Sequence, residues 1–162
     1  MVEIRDGSQL EEALSEPPDA LVTALSELDG DILVLGAGGK MGPTLTRMAR
    51  RAADAAGSKR RVIAVSRFTD PTVRSRLEAA GVSTISCDLL DEAALGKLPD
   101  APNVVYMAGM KFGTTGNEPL TWAQNAYLPG LALRRYRGNR LVVFSSGNVY
   151  GLTPVARGGS VE

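Results

Sequence analysis

Residues 32–42 read Ile-Leu-Val-Leu-Gly-Ala-Gly-Gly-Lys-Met-Gly. The four leading residues are apolar and suit a buried strand. They run straight into glycines at 36, 38, 39 and 42. A helical pattern follows at once: over residues 41–56, Met41, Leu45, Met48, Ala49 and Ala52 share one stripe, while Arg47, Arg50, Arg51 and Asp54 fall elsewhere. A tight strand-to-helix turn needs a residue free of Cβ strain, and close helix–strand packing needs Gly42. Close approach of a diphosphate needs bare backbone, and the unpaired amides of a helix start favour an anion. Gly36, Gly38, Gly39, Lys40, Met41 and Gly42 are therefore candidate cofactor-binding residues. A glycine triplet gains this meaning only from its place between strand and helix; a tight turn that binds nothing is the alternative.

Outward from this turn, strand and helix alternate. Val62–Val65, Val82–Cys87, Val104–Ala108 and Leu141–Ser145 are short, Val/Ile/Leu-rich and apolar on both faces, which predicts a buried parallel sheet. Asp70-Pro71 opens a helix with a cap and a first-turn proline, and Gly81 closes it. Asp91–Leu95 reads as a short helix or turn. Leu120–Tyr136 is a longer helix containing Pro129, which frees the carbonyl of Asn125 and predicts a kink or break. The order βαβαβαβαβ predicts a right-handed, doubly wound α/β sheet of about five strands in the order 3-2-1-4-5.

Composition narrows the chemistry. At 162 residues the chain fits one domain. Lys+Arg and Asp+Glu number 18 each, so no bulk charge invites nucleic acid. No histidine exists, which removes His-based triads, general bases and metal ligands. The single Cys87 excludes an internal disulfide and a multi-thiolate zinc site. It reads as a small buried residue, since no histidine can activate it. No apolar run is long enough to span a membrane, and the first residues are too acidic and polar for a secretory signal. The expectation is a soluble protein of a reducing compartment, the cytoplasm.

Charge is segregated along the chain. Residues 1–31 carry only Arg5 against a run of acids from Glu3 to Asp31, whereas residues 32–67 carry only Asp54 against bases from Lys40 to Arg67. Two solvated faces would explain this, and so would an acidic arm docked on a basic helix. The arm reads as helical pieces at Ser8–Leu14 and Pro18–Leu28, punctuated by Pro17-Pro18. The expected organisation is an acidic helical arm over 1–30, a cofactor-binding domain over 31–151, and an interrupted loop or linker over 152–162.

The end of the second strand, Val65-Ser66-Arg67-Phe68, bears on the choice of dinucleotide. A carboxylate there would accept hydrogen bonds from the ribose hydroxyls of NAD. Arg67 can instead pair with a 2′-phosphate, and Ser66 adds a donor. This favours NADP over NAD; an Arg67 that merely faces solvent is the alternative. A methyltransferase using S-adenosylmethionine also begins with a strand and a glycine turn, but its second strand usually ends on an acid.

These motifs, in order over Asp31 to Gly151, resemble the extended short-chain dehydrogenase/reductase superfamily, the NAD(P)-dependent epimerase/dehydratase group, whose fold is of Rossmann type. The resemblance implies roles for further residues. Cys87-Asp88-Leu89 resembles a strand-three motif in which Asp88 would meet the adenine amino group and the Leu89 amide a ring nitrogen. Val104 to Gly109 resembles the strand-four motif, with Met107, Ala108 and Gly109 lining the cofactor. Lys111 falls where sugar-nucleotide epimerases carry a lysine near the nicotinamide ribose. Asn125 resembles the helix-four asparagine, with looser spacing to Gly130 and an atypical Pro129. Leu141 to Gly151 resembles the strand-five signature, in which Ser146 would hydrogen-bond a substrate oxygen and so is the catalytic candidate; Tyr150 matches the signature tyrosine, not the catalytic one. The segment 111–120 would form a substrate-side loop or a passive connector.

One family element is missing. The proton donor is a Tyr in Tyr-x-x-x-Lys, whose lysine lowers the tyrosine pKa. Here Tyr106, Tyr127, Tyr136 and Tyr150 are followed four residues later by Met110, Leu131, Arg140 and Pro154. The expectation is thus an N-terminal NAD(P)-binding portion, truncated before the catalytic and substrate-binding C-terminal part and inactive alone. In the intact enzyme, hydride would move between the nicotinamide and a small-molecule substrate such as a nucleotide sugar. The alternative is a non-catalytic NAD(P)-sensing domain acting through a protein partner. Relatives pair through their fourth and fifth helices; only the fourth is present, so a dimer is left open.

Overall fold

Ile32–Leu35 forms the central strand β1 in a computed structural model of the chain, which describes residues 3–111, 113–146, 150, 151, 153, 154, 156 and 158. All four of its residues are buried. On one side β1 pairs in parallel with β2 (Val62–Ser66), which pairs with β3 (Ser83–Ser86); on the other it pairs with β4 (Asn103–Tyr106), which pairs with β5 (Arg140–Val143). The order is β3-β2-β1-β4-β5, all parallel, as the alternation of elements predicts.

Helices cover both faces. α3 (Gly42–Ala55) and α4 (Pro71–Ala79) lie on one side, with Leu25, Val34, Ala52, Ala64 and Leu77 in that core. On the other side, α5 (Glu92–Gly96) and α7 (Leu128–Arg135) close over Leu33, Val65, Tyr106, Leu128 and Tyr136. Local chemistry sets the boundaries. The Asp70 carboxylate accepts from Thr72 N at 2.9 Å to start α4, and Gly81, at φ +77°, ends the turn after it. Asp91 accepts from the Ala93 and Ala94 amides to start α5.

Two expectations are corrected. The edge strands are not covered on both faces: β3 has no buried residue, and on β5 Val142 is 59% and Val143 51% exposed. An apolar run states a preference, whereas cover depends on a neighbour, and an edge strand has one neighbour fewer. Second, of the kink or break expected at Pro129, the break does not occur and the irregularity takes the form of a π-turn. α6 (Glu118–Trp122) passes through a π-turn at Ala123–Tyr127 into α7. Leu128 N donates to Ala123 O, five residues back. A wider turn absorbs the residue whose amide is missing and whose ring would crowd the Asn125 carbonyl.

The acidic arm is docked. α1 (Gly7–Leu14) has no buried residue, yet Glu12 pairs with both Arg47 and Arg51, Glu16 pairs with Arg51, and Glu11 meets Arg76 at 2.6 Å. α2 (Asp19–Glu27) buries Leu25, and Arg60 donates to the Leu25 and Leu28 carbonyls at its end. Buried Asn103 ties this entry to the sheet by donating to Asp29 O at 2.9 Å and Asp31 O at 3.1 Å. Among the described residues, no helix is long and apolar enough to cross a membrane.

Candidate functional site

β1 ends in a turn made to measure by its glycines. Gly36 has φ +91°, and a Cβ on it would sit 2.5 Å from Ala108 N at the end of β4. On Gly42 a Cβ would lie 2.5 Å from the Ala37 carbonyl carbon, so α3 leaves the strand with no room for a side chain. On Gly38 it would meet the Ser66 side chain. Gly39 differs: its nearest neighbour would be Gly36 O at 3.5 Å, an ordinary contact, and its φ is not positive. The fold itself does not require a glycine there.

The turn uses some of its amides and leaves others. Gly36 N and Ala37 N both donate to Val65 O, and Gly39 N to Gly36 O. The amides of Gly38, Lys40 and Met41 have no acceptor among the described residues. α3 starts without a side-chain cap, and Pro43 removes one further donor. The result is an uncapped helix start with free donors beside bare backbone.

A cavity of about 180 Å³ opens beside this turn, at the carboxyl ends of the strands. Gly36, Gly38 and Gly39 line it, with Ser66, Arg67 and Thr69 after β2, Cys87, Asp88 and Leu89 after β3, and Met107, Ala108 and Gly109 after β4. Gln124 and Leu128 complete the wall. This is the switch point of the sheet, where β1 is flanked by β2 and β4 and the loops part.

The wall has polarity. Arg67 is exposed, and its guanidinium has no partner among the described residues. Phe68, next to it, takes a left-handed φ of +47°, a conformation costing about 1–2 kcal/mol in a non-glycine residue. It turns the chain so that Arg67 and Thr69 both reach the wall while Phe68 packs into the core. On the other side, Asp88 accepts from Leu90 N at 3.1 Å, and the Leu89 amide has no acceptor among the described residues. Burial, and then the charges of Asp88 and Asp91, push the Cys87 thiol up, away from the nucleophilic thiolate.

The remaining candidates stand apart from the wall. Lys40, Met41 and Lys111 are exposed, Gly42 is buried as the first residue of α3, and Ser146 is exposed beyond β5. Asn125 acts on the wall from behind: its Oδ1 accepts from Met110 N at 2.7 Å and its Nδ2 donates to Met110 O at 2.8 Å, fixing the segment that follows β4. The signature residues Gly147, Asn148 and Val149 lie outside the described residues, as do Phe112 of the 111–120 segment and most of the tail beyond Tyr150. Sequence reasoning missed Thr69, Gln124 and Leu128. The i, i+4 spacing of Gln124 and Leu128 was the available signal. Among the described residues, no group of three or more Cys, Asp or Glu could hold a metal ion.

A five-stranded parallel sheet in this order, with a glycine turn at its switch point, defines a Rossmann-type domain. The chain belongs to the NAD dependent epimerase/dehydratase family, which it matches over residues 32–159. No curated protein sequence matches it significantly. The solved structures that share the fold include the following three. An epimerase of Methanothermobacter thermautotrophicus matches with a TM-score of 0.63 and 21% identity over 81% of this chain. A UDP-glucose 4-epimerase of Brucella ovis in complex with NAD matches with 0.55 and 19% over 76%. The Bordetella bronchiseptica enzyme WbmF, in complex with NAD+ and UDP, matches with 0.53 and 15% over 73%. The chain spans 40%, 38% and 36% of their respective lengths.

Proposed function

We propose that this chain holds a nicotinamide dinucleotide, NADP in preference to NAD, as the cofactor-binding portion of an epimerase- or dehydratase-type oxidoreductase. The carrying observation is the pairing of unsatisfied Gly38, Lys40 and Met41 amides with a Gly39 that the fold itself does not need. Both features suit a diphosphate, and neither serves a described residue. The amides and the uncapped α3 start would hold the diphosphate. Arg67, with Ser66, would take a 2′-phosphate. Asp88 and the Leu89 amide would face the adenine, and the backbone of Met107, Ala108 and Gly109 would line the site. Asn125 would keep that backbone in place, and Lys111 would stand near the nicotinamide ribose. When bound, the nicotinamide supplies a carbon that gives or takes hydride. Ser146 would hydrogen-bond a substrate oxygen.

The residues divide as an arm over 1–30, the cofactor domain over 31–151 and a linker over 152–162. For the intact protein, a nucleotide sugar is the proposed substrate class, supported by the UDP in the Bordetella structure, and isomerase chemistry is one outcome of such a site. The chain alone is proposed to be without turnover, since it contains no Tyr-x-x-x-Lys. Pairing of two copies through α6 and α7 is supported by Trp122 and Leu133, both more than half exposed. A cytoplasmic location is supported by the free Cys87. The missing Tyr-x-x-x-Lys equally favours a second reading, an NAD(P)-sensing domain that acts through a protein partner.

Calorimetric titration with NADPH and NADH tests the proposal. Saturable binding of both, tighter for NADPH, is expected; no heat from either overturns it. Dehydrogenase turnover by these 162 residues would overturn the claim of inactivity.

A further inference from the structure

The face of α3 and α4 that α1 covers is lined by arginines. Arg47 and Arg51 stand one turn apart on α3, and Arg76 stands on α4. Among the described residues, every ion pair these arginines make goes to α1 or to the residues just after it. Glu12 bridges Arg47 and Arg51, Glu16 pairs with Arg51, and Glu11 holds Arg76 at 2.6 Å. The acids of the two helices are engaged elsewhere, Asp54 with Arg50 at 2.7 Å and Glu78 with Arg74 at 2.9 Å. With α1 lifted away, this face would present Arg47, Arg51 and Arg76 with no described carboxylate in an ion pair with them.

The contact is made by charge, and α1 lies on it inside out. A helix kept for packing turns its apolar stripe inward. Here no residue of α1 is buried, and Leu10 and Leu14, one turn apart, are 43% and 52% exposed while the carboxylates face the protein. Such exposed pairs hold weakly and are screened by salt. α1 can also leave alone. Pro17-Pro18 separates it from α2, which keeps its own anchors: buried Leu25, and Arg60 donating to the Leu25 and Leu28 carbonyls. The family match begins at residue 32, so α1 is an addition to the shared fold.

We infer that Arg47, Arg51 and Arg76 form a docking surface for an acidic helix of a partner protein, and that α1 occupies this surface in cis until such a helix replaces it. The register specifies the ligand. Arg47 and Arg51 are four residues apart, and so are Glu12 and Glu16, so both pairs repeat at about 6 Å along their helices. Glu11 adds a carboxylate turned toward α4. A partner helix with acids at i, i+1 and i+5 would reproduce the set. The same arginines would attract a nucleic acid, but the chain balances 18 bases with 18 acids and carries no bulk positive field. None of the three arginines lines the cavity, so the inference does not rest on what the cavity holds.

The test is fluorescence anisotropy of a labelled peptide with the sequence of residues 6–16, titrated with the whole chain. In wild type α1 competes from a high effective concentration; in the triple variant Glu11→Gln, Glu12→Gln, Glu16→Gln it does not. The triple variant should bind the peptide at least about tenfold more tightly than wild type, and high salt should weaken that binding. Adding Arg47→Gln and Arg51→Gln to the variant should abolish it. A scrambled peptide of the same composition and a single-stranded DNA oligomer should each bind several-fold more weakly than the ordered peptide. The double variant Glu12→Gln, Glu16→Gln frees Arg47 and Arg51 and carries the same expectation, so it decides the matter should the triple variant fail to fold. No peptide binding to the freed variants overturns the inference. So does equal binding by wild type, which would mean that α1 does not cover the surface, and so does equal binding of the scrambled peptide or the DNA, which would mean charge attraction without a helix site.

Discussion

The Asn125 side chain closes a two-bond clamp on the peptide of Met110, accepting from its N–H at 2.7 Å and donating to its carbonyl at 2.8 Å. A π-turn thereby holds the segment that leaves β4 across the cavity mouth. Asn125→Leu removes both bonds and strands the Met110 peptide. Both bonds lie in reach of water, so a loss of about 0.5–1.5 kcal/mol in urea unfolding is expected. Asn125→Asp keeps the acceptor but sets a carboxylate oxygen against the Met110 carbonyl, so it should not rescue.

The glycines of the turn separate into two kinds. Gly42→Ala pushes a methyl into the Ala37 backbone and should cost about 1–3 kcal/mol of stability. Gly39→Ala meets only an ordinary contact, so stability should stay within about 0.5 kcal/mol of wild type. NADPH affinity should nevertheless drop by about tenfold or more, because the methyl and the diphosphate compete for one space. Chemical unfolding and calorimetry of the two variants check both halves.

Arg67→Asp replaces an unpaired guanidinium with a carboxylate that repels a 2′-phosphate and accepts from ribose hydroxyls. NADPH affinity should fall by about 10- to 100-fold, with NADH retained or improved. Equal NADPH affinity in wild type and variant would remove this role for Arg67.

Burial pushes the phenols of Tyr106 and Tyr136 up to about 12. Their folded values lie above the unfolded value near 10, so their stabilising contribution is complete below pH 10 and is lost as pH rises towards 12. Absorbance titration at 295 nm should show these two ionising only with unfolding. The Tyr106 hydroxyl has no hydrogen-bond partner among the described residues, so Tyr106→Phe should be neutral or stabilising by about 1 kcal/mol.

α1 buries nothing and is held by exposed ion pairs of Glu11, Glu12 and Glu16, each worth about 0.2–1 kcal/mol and weakened by salt. A Glu-specific protease should cut within 11–16 several-fold faster in high salt while the strand core stays protected. Cleavage indifferent to salt would mean that packing, not charge, holds the arm.

Much of this was legible in the sequence where the cause is local. The turn at 36–42 could be read because its glycines answer steric demands within a few residues, and the Asp70 cap acts over two. What depended on distant neighbours was not. Val142 reads as a core residue but is bare because β5 is an edge. Pro129 announces a lost hydrogen bond, not the wider turn that accommodates it. The charge segregation left both docking and solvation open, since it does not say whether the acids and Arg47 and Arg51 meet in space. Thr69 and Gln124 look like surface residues until the sheet brings their loops to one cavity.

The most direct measurement of the central claim is an amide NMR titration with NADPH. The account predicts that shift changes concentrate on the Gly38, Lys40 and Met41 amides, with Arg67 and Leu89 following at the same ligand concentration. Undisturbed amides at 38–41, with binding absent or mapped elsewhere on the chain, would contradict it.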